Sequence, residues 1–218
     1  MAVVDLTHTL TPQFPLYSAY DPVEVADRFS VADDGFYVRS WSFDEHCGTH
    51  VDAPAHFGGP LAVDEIAAED LVLPACVLDV RVRVGGDPEA LVGPDDLLAW
   101  ERANGEADGA LLALTGWEAR LEAGTEAYLA APGFSPELTE WLQARRPGVR
   151  AIGLDTASLD RGSSTAFEAH ASWLPSGRYG IENLARLGRL PARGATLVVG
   201  APKLQRGSGG PARILALT

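Results

Sequence analysis

Three of the chain's five histidines and one aspartate fall within eleven residues, His46-Cys47-Gly48-Thr49-His50-Val51-Asp52-Ala53-Pro54-Ala55-His56. The spacing, H-x3-H-x-D-x3-H, limits how the backbone can run. Gly48, the β-branched Thr49 and Val51, and Pro54 all disfavour a helix here. In an extended chain side chains alternate between faces, so His46, His50, Asp52 and His56 share one face, and Cys47, Thr49 and Val51 share the other. A straight strand would still hold His46 and His50 about 13 Å apart at roughly 3.3 Å per residue, whereas donors to one ion lie about 2.0 to 2.2 Å from it. The segment therefore has to bend. Gly48 tolerates the backbone angles of a bulge or tight turn, and Pro54 ends the extended run.

This pattern predicts a metal site made of His46, His50 and Asp52. His56 is either a fourth ligand or an unligated imidazole that titrates near neutrality as a general acid and base. A cysteine hydrolase built on Cys47 is the rival reading, but strand parity turns Cys47 away from His46 and His50. Gly58-Gly59 reads as a turn, because no G-x-x-x-x-G-K pattern accompanies it. His8 reads as a structural hydrogen-bonding residue beside the first strand. Taken alone, His170 and Glu182 look ordinary.

The 218 residues suffice for one α/β domain spanning residues 1–218. An apolar content of 46% and a mean hydropathy of +0.01 predict a packed core. No apolar run approaches the roughly 18 residues of a membrane span, and Met1-Ala2-Val3-Val4-Asp5 lacks a basic leader segment, so the expectation is a soluble, cytoplasmic protein. A net charge of −13 argues against nucleic acid and anionic membranes as partners and leaves a small-molecule substrate. Residues 1–144 carry 26 acids and 6 bases, and residues 145–218 carry 4 acids and 11 bases, or −20 and +7. That asymmetry reads either as a solvated arginine-rich surface or as a basic face for an anionic substrate or another subunit. Cys47 and Cys76 are expected as thiols.

Val3 to Leu6, Val23 to Phe29 and Tyr37 to Phe43 read as strands, with Asp33-Asp34-Gly35 as the turn between the last two. Ala75 to Val84 reads as a strand and Pro94 to Ala103 as a helix, with Pro94, Asp95 and Asp96 in its first turn and Gly105 beyond its end. Ala110 to Leu114 and Val149 to Leu154 read as strands on either side of a helix capped by Ser135. Thr165 to Trp173 reads as a short helix carrying His170. Ala195 to Val199 and Arg213 to Leu217 close the chain as strands separated by a glycine-rich turn, Arg206-Gly207-Ser208-Gly209-Gly210. A β-rich opening followed by alternating β and α predicts an α/β domain with a mixed sheet.

The string from His46 to Phe57 resembles the H-x-G-T-H-x-D-x-P-x-H-F signature of the cyclase family of metal-dependent hydrolases, which includes bacterial kynurenine formamidases and isatin hydrolases. Asp5-Leu6-Thr7-His8, Thr115-Gly116-Trp117, Ile152-Gly153-Leu154-Asp155-Thr156, His170 and Glu182-Asn183-Leu184 extend the resemblance over most of the chain. It implies a swivelling β/α/β fold, a homo-oligomer (dimer or tetramer), and one or two divalent ions, zinc or manganese. By the same resemblance, His46, His50 and Asp52 would hold a first ion, Asp52 would bridge to a second held by His170 and Glu182, and His56 would be the proton shuttle. Where the formamidases have a tryptophan in a W-P-G-D context, this chain has Phe14-Pro15-Leu16-Tyr17, a departure at the substrate contact.

The expected reaction is metal-assisted hydrolysis of an amide in a small aromatic substrate, arylformamidase-like, with lactam or lactone hydrolysis of the isatin hydrolase kind as the alternative. Phe14, Tyr17, Trp41 and Trp117 are the candidate pocket walls. A non-catalytic metal-containing binding protein is the alternative of another class, although such a protein has no need of a proton shuttle.

Overall fold

A computed structural model describes residues 1–218. The strands are β1 (Val3–Asp5), β2 (Glu24–Phe29), β3 (Val38–Ser42), β4 (His50–Asp52), β5 (Val72–Asp79), β6 (Leu91–Val92), β7 (Gly109–Leu114), β8 (Gly133–Phe134), β9 (Val149–Leu154), β10 (Tyr179–Glu182), β11 (Ala195–Gly200), β12 (Gly209–Pro211) and β13 (Arg213–Leu217). The α-helices are α1 (Val31–Asp34), α2 (Arg81–Val84), α3 (Pro94–Asn104), α4 (Thr125–Leu129), α5 (Pro136–Arg145) and α6 (Glu168–Trp173).

Nine strands form one mixed sheet in the order β1-β13-β11-β5-β7-β9-β10-β4-β12. Its centre, β5-β7-β9-β10, is parallel, and antiparallel strands flank it on both sides. β7 is apolar throughout and β9 apart from Arg150, without alternation, because both of their faces are covered. Leu111 and Ala113 of β7 face a core built with α3 and α5, where Leu97, Trp100, Leu138 and Leu142 are buried. Ala110, Leu112 and Leu114 face a second core that draws on strands and their connections without any α-helix, including Val4, Val51, Ile181, Leu197 and Ile214. The sheet thus curls and packs one face on itself, giving the expected mixed α/β architecture.

Four local expectations need correcting. The strand read over Ala75 to Val84 begins earlier, at Val72, because β11 pairs with it there, and it ends at Asp79. Asp79 then accepts the Arg81 backbone N–H and its guanidinium, which starts the single turn of α2, and Gly85 closes it at φ +59°. The helix holding His170 starts only at Glu168, since Phe167 sits in the left-handed region at φ +51°. The glycine-rich stretch is more than a turn, because Gly209–Pro211 pairs with β4 as the edge strand. The loop between β2 and β3 is one helical turn, capped by Ser30 accepting from the Asp33 N–H. β2 and β3 form their own two-stranded hairpin outside the main sheet.

Candidate metal centre

The bend predicted at Gly48 is present, with φ +62°. After it, β4 carries His50 and Asp52 on one face while Val51 turns into the strand-built core. Thr49 anchors the bend from the other side by donating to the Asn183 carbonyl at 2.6 Å and accepting the His8 backbone N–H at 2.9 Å. His56 does not follow strand parity. It sits on a 3₁₀ turn, Pro54–Phe57, that Pro54 opens and Gly58 closes at φ +74°, and this turn lays its ring on His46 with centroids 3.8 Å apart. The extended reading therefore holds only over residues 50 to 52.

β10 completes the centre. It pairs antiparallel with β4, with Glu182 opposite His50 and Gly180 opposite Asp52. α6 adds His170. His46 Nδ1 lies 2.7 Å from Asp52 Oδ1, and His50 Nε2 lies 3.2 Å from the same oxygen and 3.3 Å from Glu182 Oε2. His170 Nε2 is 3.5 Å from Asp52 Oδ2 and 3.0 Å from Glu182 Oε1. Two groups, His46-His50-Asp52 and Asp52-His170-Glu182, each have donor atoms within 4.8 Å of one another. Asp52 belongs to both.

The centre has the chemistry of a cation site. His50 Nε2 and Asp52 Oδ2 are buried without a hydrogen-bond partner, although groups of opposite charge stand close by. Burial disfavours a charged His50, yet Asp52 and Glu182 outweigh it and push the imidazole up to about 10. His170 is raised in the same way against burial, by Asp160, Asp52 and Glu182. Burial also opposes ionisation of Asp52, but His50, His170 and His46 hold its carboxyl well below the usual range. The buried carboxylates thus demand positive charge, which a divalent ion on mixed imidazole and carboxylate donors supplies. His56 differs: burial lowers it to about 4, so the free ring is neutral and does not titrate near neutrality as the sequence reading expected.

Residues that local spacing did not single out orient the histidines. His50 Nδ1 donates to the Gly48 carbonyl, which also accepts from Asn183 Nδ2, and the Asn183 Oδ1 accepts from the Tyr128 hydroxyl. Asp160 meets His170 Nδ1 at 2.5 Å and accepts the Ala169 N–H at 2.7 Å. His46 Nε2 meets Ser208 Oγ at 2.9 Å. Asp160 lies ten residues before His170 in a loop and Ser208 lies 162 residues from His46, so neither announces itself in the sequence.

Comparison with known proteins identifies the family. The Cyclase family model matches residues 4–161. The chain belongs to the cyclase family. This cyclase-family chain is 33% identical to an isatin hydrolase of Roseibium aggregatum, over 99% of the chain and 91% of that protein. It is 27% identical to a kynurenine formamidase of Bordetella pertussis, over 76% of the chain and 74% of that protein. Among solved structures, an isatin hydrolase bound to the product analogue thioisatinate superposes with a TM-score of 0.92 at 30% identity, covering 99% of this chain and 92% of that one. Isatin hydrolase A from Ralstonia solanacearum superposes with a TM-score of 0.90 at 35% identity, covering 99% and 91%.

In this cyclase-family chain a cavity of about 290 Å³ opens on both groups. Tyr17, Ser18, Ala19, Tyr20, Phe57, Ala157, Ser158 and Phe167 line it beside His46, His50, Asp52, His56, His170 and Glu182. Tyr17 is the one expected wall residue found there. Phe14 is buried edge-on against Tyr128, Trp117 is buried with its Nε1 donating to the Tyr128 carbonyl, and Trp41 lies on the detached hairpin. All three are large aromatics whose sequence context does not separate core from pocket. His8 does bond near the first strand, but through its backbone; its ring Nε2 is buried without a partner. Cys47 is buried, is pushed up to about 11 by that burial, and is not among the residues lining the cavity, all of which count against the cysteine hydrolase reading. No helix is long and apolar enough to cross a membrane.

Proposed function

We propose that the chain is a metal-dependent hydrolase that opens the amide of a small, flat, uncharged aromatic substrate of the isatin class. The observation that carries this reading is the cavity wall: beyond the six site residues it is aromatic or small and contains no lysine or arginine. An isatin-like ring suits that wall. N-formylkynurenine carries an amino-acid head group, and its carboxylate finds no cationic side chain among these residues. The basic C-terminal part of the sequence contributes nothing charged to the wall beyond the site residues.

His46, His50 and Asp52 would hold one ion and Asp52, His170 and Glu182 a second, with zinc and manganese both suited to the mixed donors. A bound divalent ion supplies polarisation of the scissile carbonyl and a water that ionises near pH 7. Tyr20, Phe57 and Phe167 bracket the substrate ring. His56, neutral at physiological pH, faces the cavity. It accepts the proton of the attacking water and returns it to the nitrogen as the C–N bond breaks, a role worth roughly 10² to 10⁴ in rate.

Assays of the purified protein with added zinc or manganese, on isatin and N-formylkynurenine side by side, test this. Isatin opening alone is expected. Formylkynurenine cleavage alone would make the protein an arylformamidase, and a metal-replete protein inactive on both would make it a binding protein. His56→Ala is expected to keep its metal by elemental analysis and lose turnover; lost metal would make His56 a ligand. Self-association has a ready surface in the β2–β3 hairpin, where Phe29, Phe36, Tyr37, Val38 and Trp41 are exposed together. Light scattering is expected to return a dimer or tetramer.

A further inference from the structure

Of the four site histidines, His46, His50 and His170 each turn one ring nitrogen to the carboxylates and have the other held from behind. For His50 the holder is the Gly48 carbonyl and for His170 the Asp160 carboxylate, both of which can only accept. For His46 it is Ser208, whose hydroxyl could donate or accept. The direction is decided one residue further out. Ser208 Oγ donates to Glu45 Oε2, and the same oxygen accepts the Ser208 backbone N–H at 2.9 Å. A hydroxyl has one proton, and it is committed to Glu45. Ser208 Oγ can therefore only accept from His46 Nε2–H.

We propose that Glu45 and Ser208 are positioning residues that hold a proton on His46 Nε2, so that Nδ1, which donates to Asp52 Oδ1 at 2.7 Å, is the ring nitrogen that would give up its proton to an ion. This rests on the metal-site reading above. It also gives the glycine-rich stretch a purpose, since Ser208 reaches the ring only because β12 lies flat against β4. A Cβ at Gly209 would come within 2.3 Å of the Val51 carbonyl and 2.7 Å of His46 Cε1, and one at Gly207 within 2.8 Å of Glu45 Oε1. The segment is pinned independently through its backbone, with Ser208 O accepting the Ala53 N–H and Gly207 O the Val63 N–H, both at 2.9 Å. Removing the hydroxyl leaves those bonds in place.

Nitrogen-15 NMR of the zinc-loaded protein is expected to show His46 with its proton on Nε2 and none on Nδ1. Glu45→Ala frees the Ser208 proton to point at Nε2 and is expected to weaken zinc binding about 10- to 100-fold. Ser208→Ala is expected to weaken zinc binding about 10- to 100-fold, the usual effect of losing an outer partner of a ligating histidine, with an unchanged melting temperature for the metal-free protein. Ser208→Thr is expected to restore binding. A zinc-loaded wild type in which His46 carries its proton on Nδ1, or wild-type zinc affinity in Ser208→Ala, overturns the relay. A wild type that binds zinc yet hydrolyses neither isatin nor N-formylkynurenine overturns the proposed reaction and leaves the relay standing.

Discussion

The two ligand groups share Asp52 and differ in almost everything else. His46, His50 and Asp52 come from one bend of seven consecutive residues, and their histidines are backed by neutral oxygens, Ser208 Oγ and the Gly48 carbonyl. His170 and Glu182 come from separate elements, and His170 is backed by the Asp160 carboxylate. A carboxylate behind an imidazole makes it more basic and adds negative charge to the site. The Asp52-His170-Glu182 group, assembled by tertiary contacts, would therefore be the stronger cation holder, and the His46-His50-Asp52 group, assembled by local chain geometry, the weaker one.

The largest loss is expected at the shared residue. Asp52→Asn removes a negative donor from both groups at once, and elemental analysis is expected to find both ions lost and turnover at background. Retention of a full complement at one group would mean that the aspartate is not shared. Next in size, Asp160→Asn keeps a side-chain oxygen for the N-terminus of α6 but removes the charge behind His170. Metal affinity should fall about 10- to 100-fold, and further than in Ser208→Ala, by competition with a chelator. The opposite ranking would invert the comparison.

The smallest effect is on the metal-free protein's pH dependence. Because the folded state raises His50 from its ordinary 6.5 to about 10, protonation of His50 stabilises the fold fully below about pH 6.5, and that contribution disappears as pH rises toward 10. Asp52, held low, works the other way and loses its contribution only in acid. The melting temperature of the metal-free form should decline between about pH 6.5 and 10, and saturating zinc should flatten the decline. A flat profile without metal would mean that the carboxylates do not act on His50.

Much of this was legible in the sequence because it is local. Pro94, the acids behind it and Gly105 bound α3, and Ser135 caps α5 through the Leu138 N–H, as capping chemistry requires. The apolar runs of β7 and β9 and the Gly48 bend were equally readable. The start of α6 was not, because Phe167 enters it in a left-handed conformation that no sequence rule assigns to phenylalanine. Phe14 and Trp117 were indistinguishable from Tyr17 by residue type, and only packing sends the first two into the interior and the third onto the cavity.

The sequence by itself determined the first ligand group, since covalent geometry keeps seven residues around a glycine bend within reach of one ion whatever the rest of the chain does. The resemblance of the remaining residues named His170 and Glu182 but could not bring them near. That was decided by the antiparallel register of β10 on β4, which sets Glu182 opposite His50. Side chains alternate with a period of two, so a slip of one residue would turn Glu182 into the core and leave Asp52 with half a centre. The partners behind the histidines were decided the same way: Asp160 and Ser208 owe their roles to where the chain returns in space.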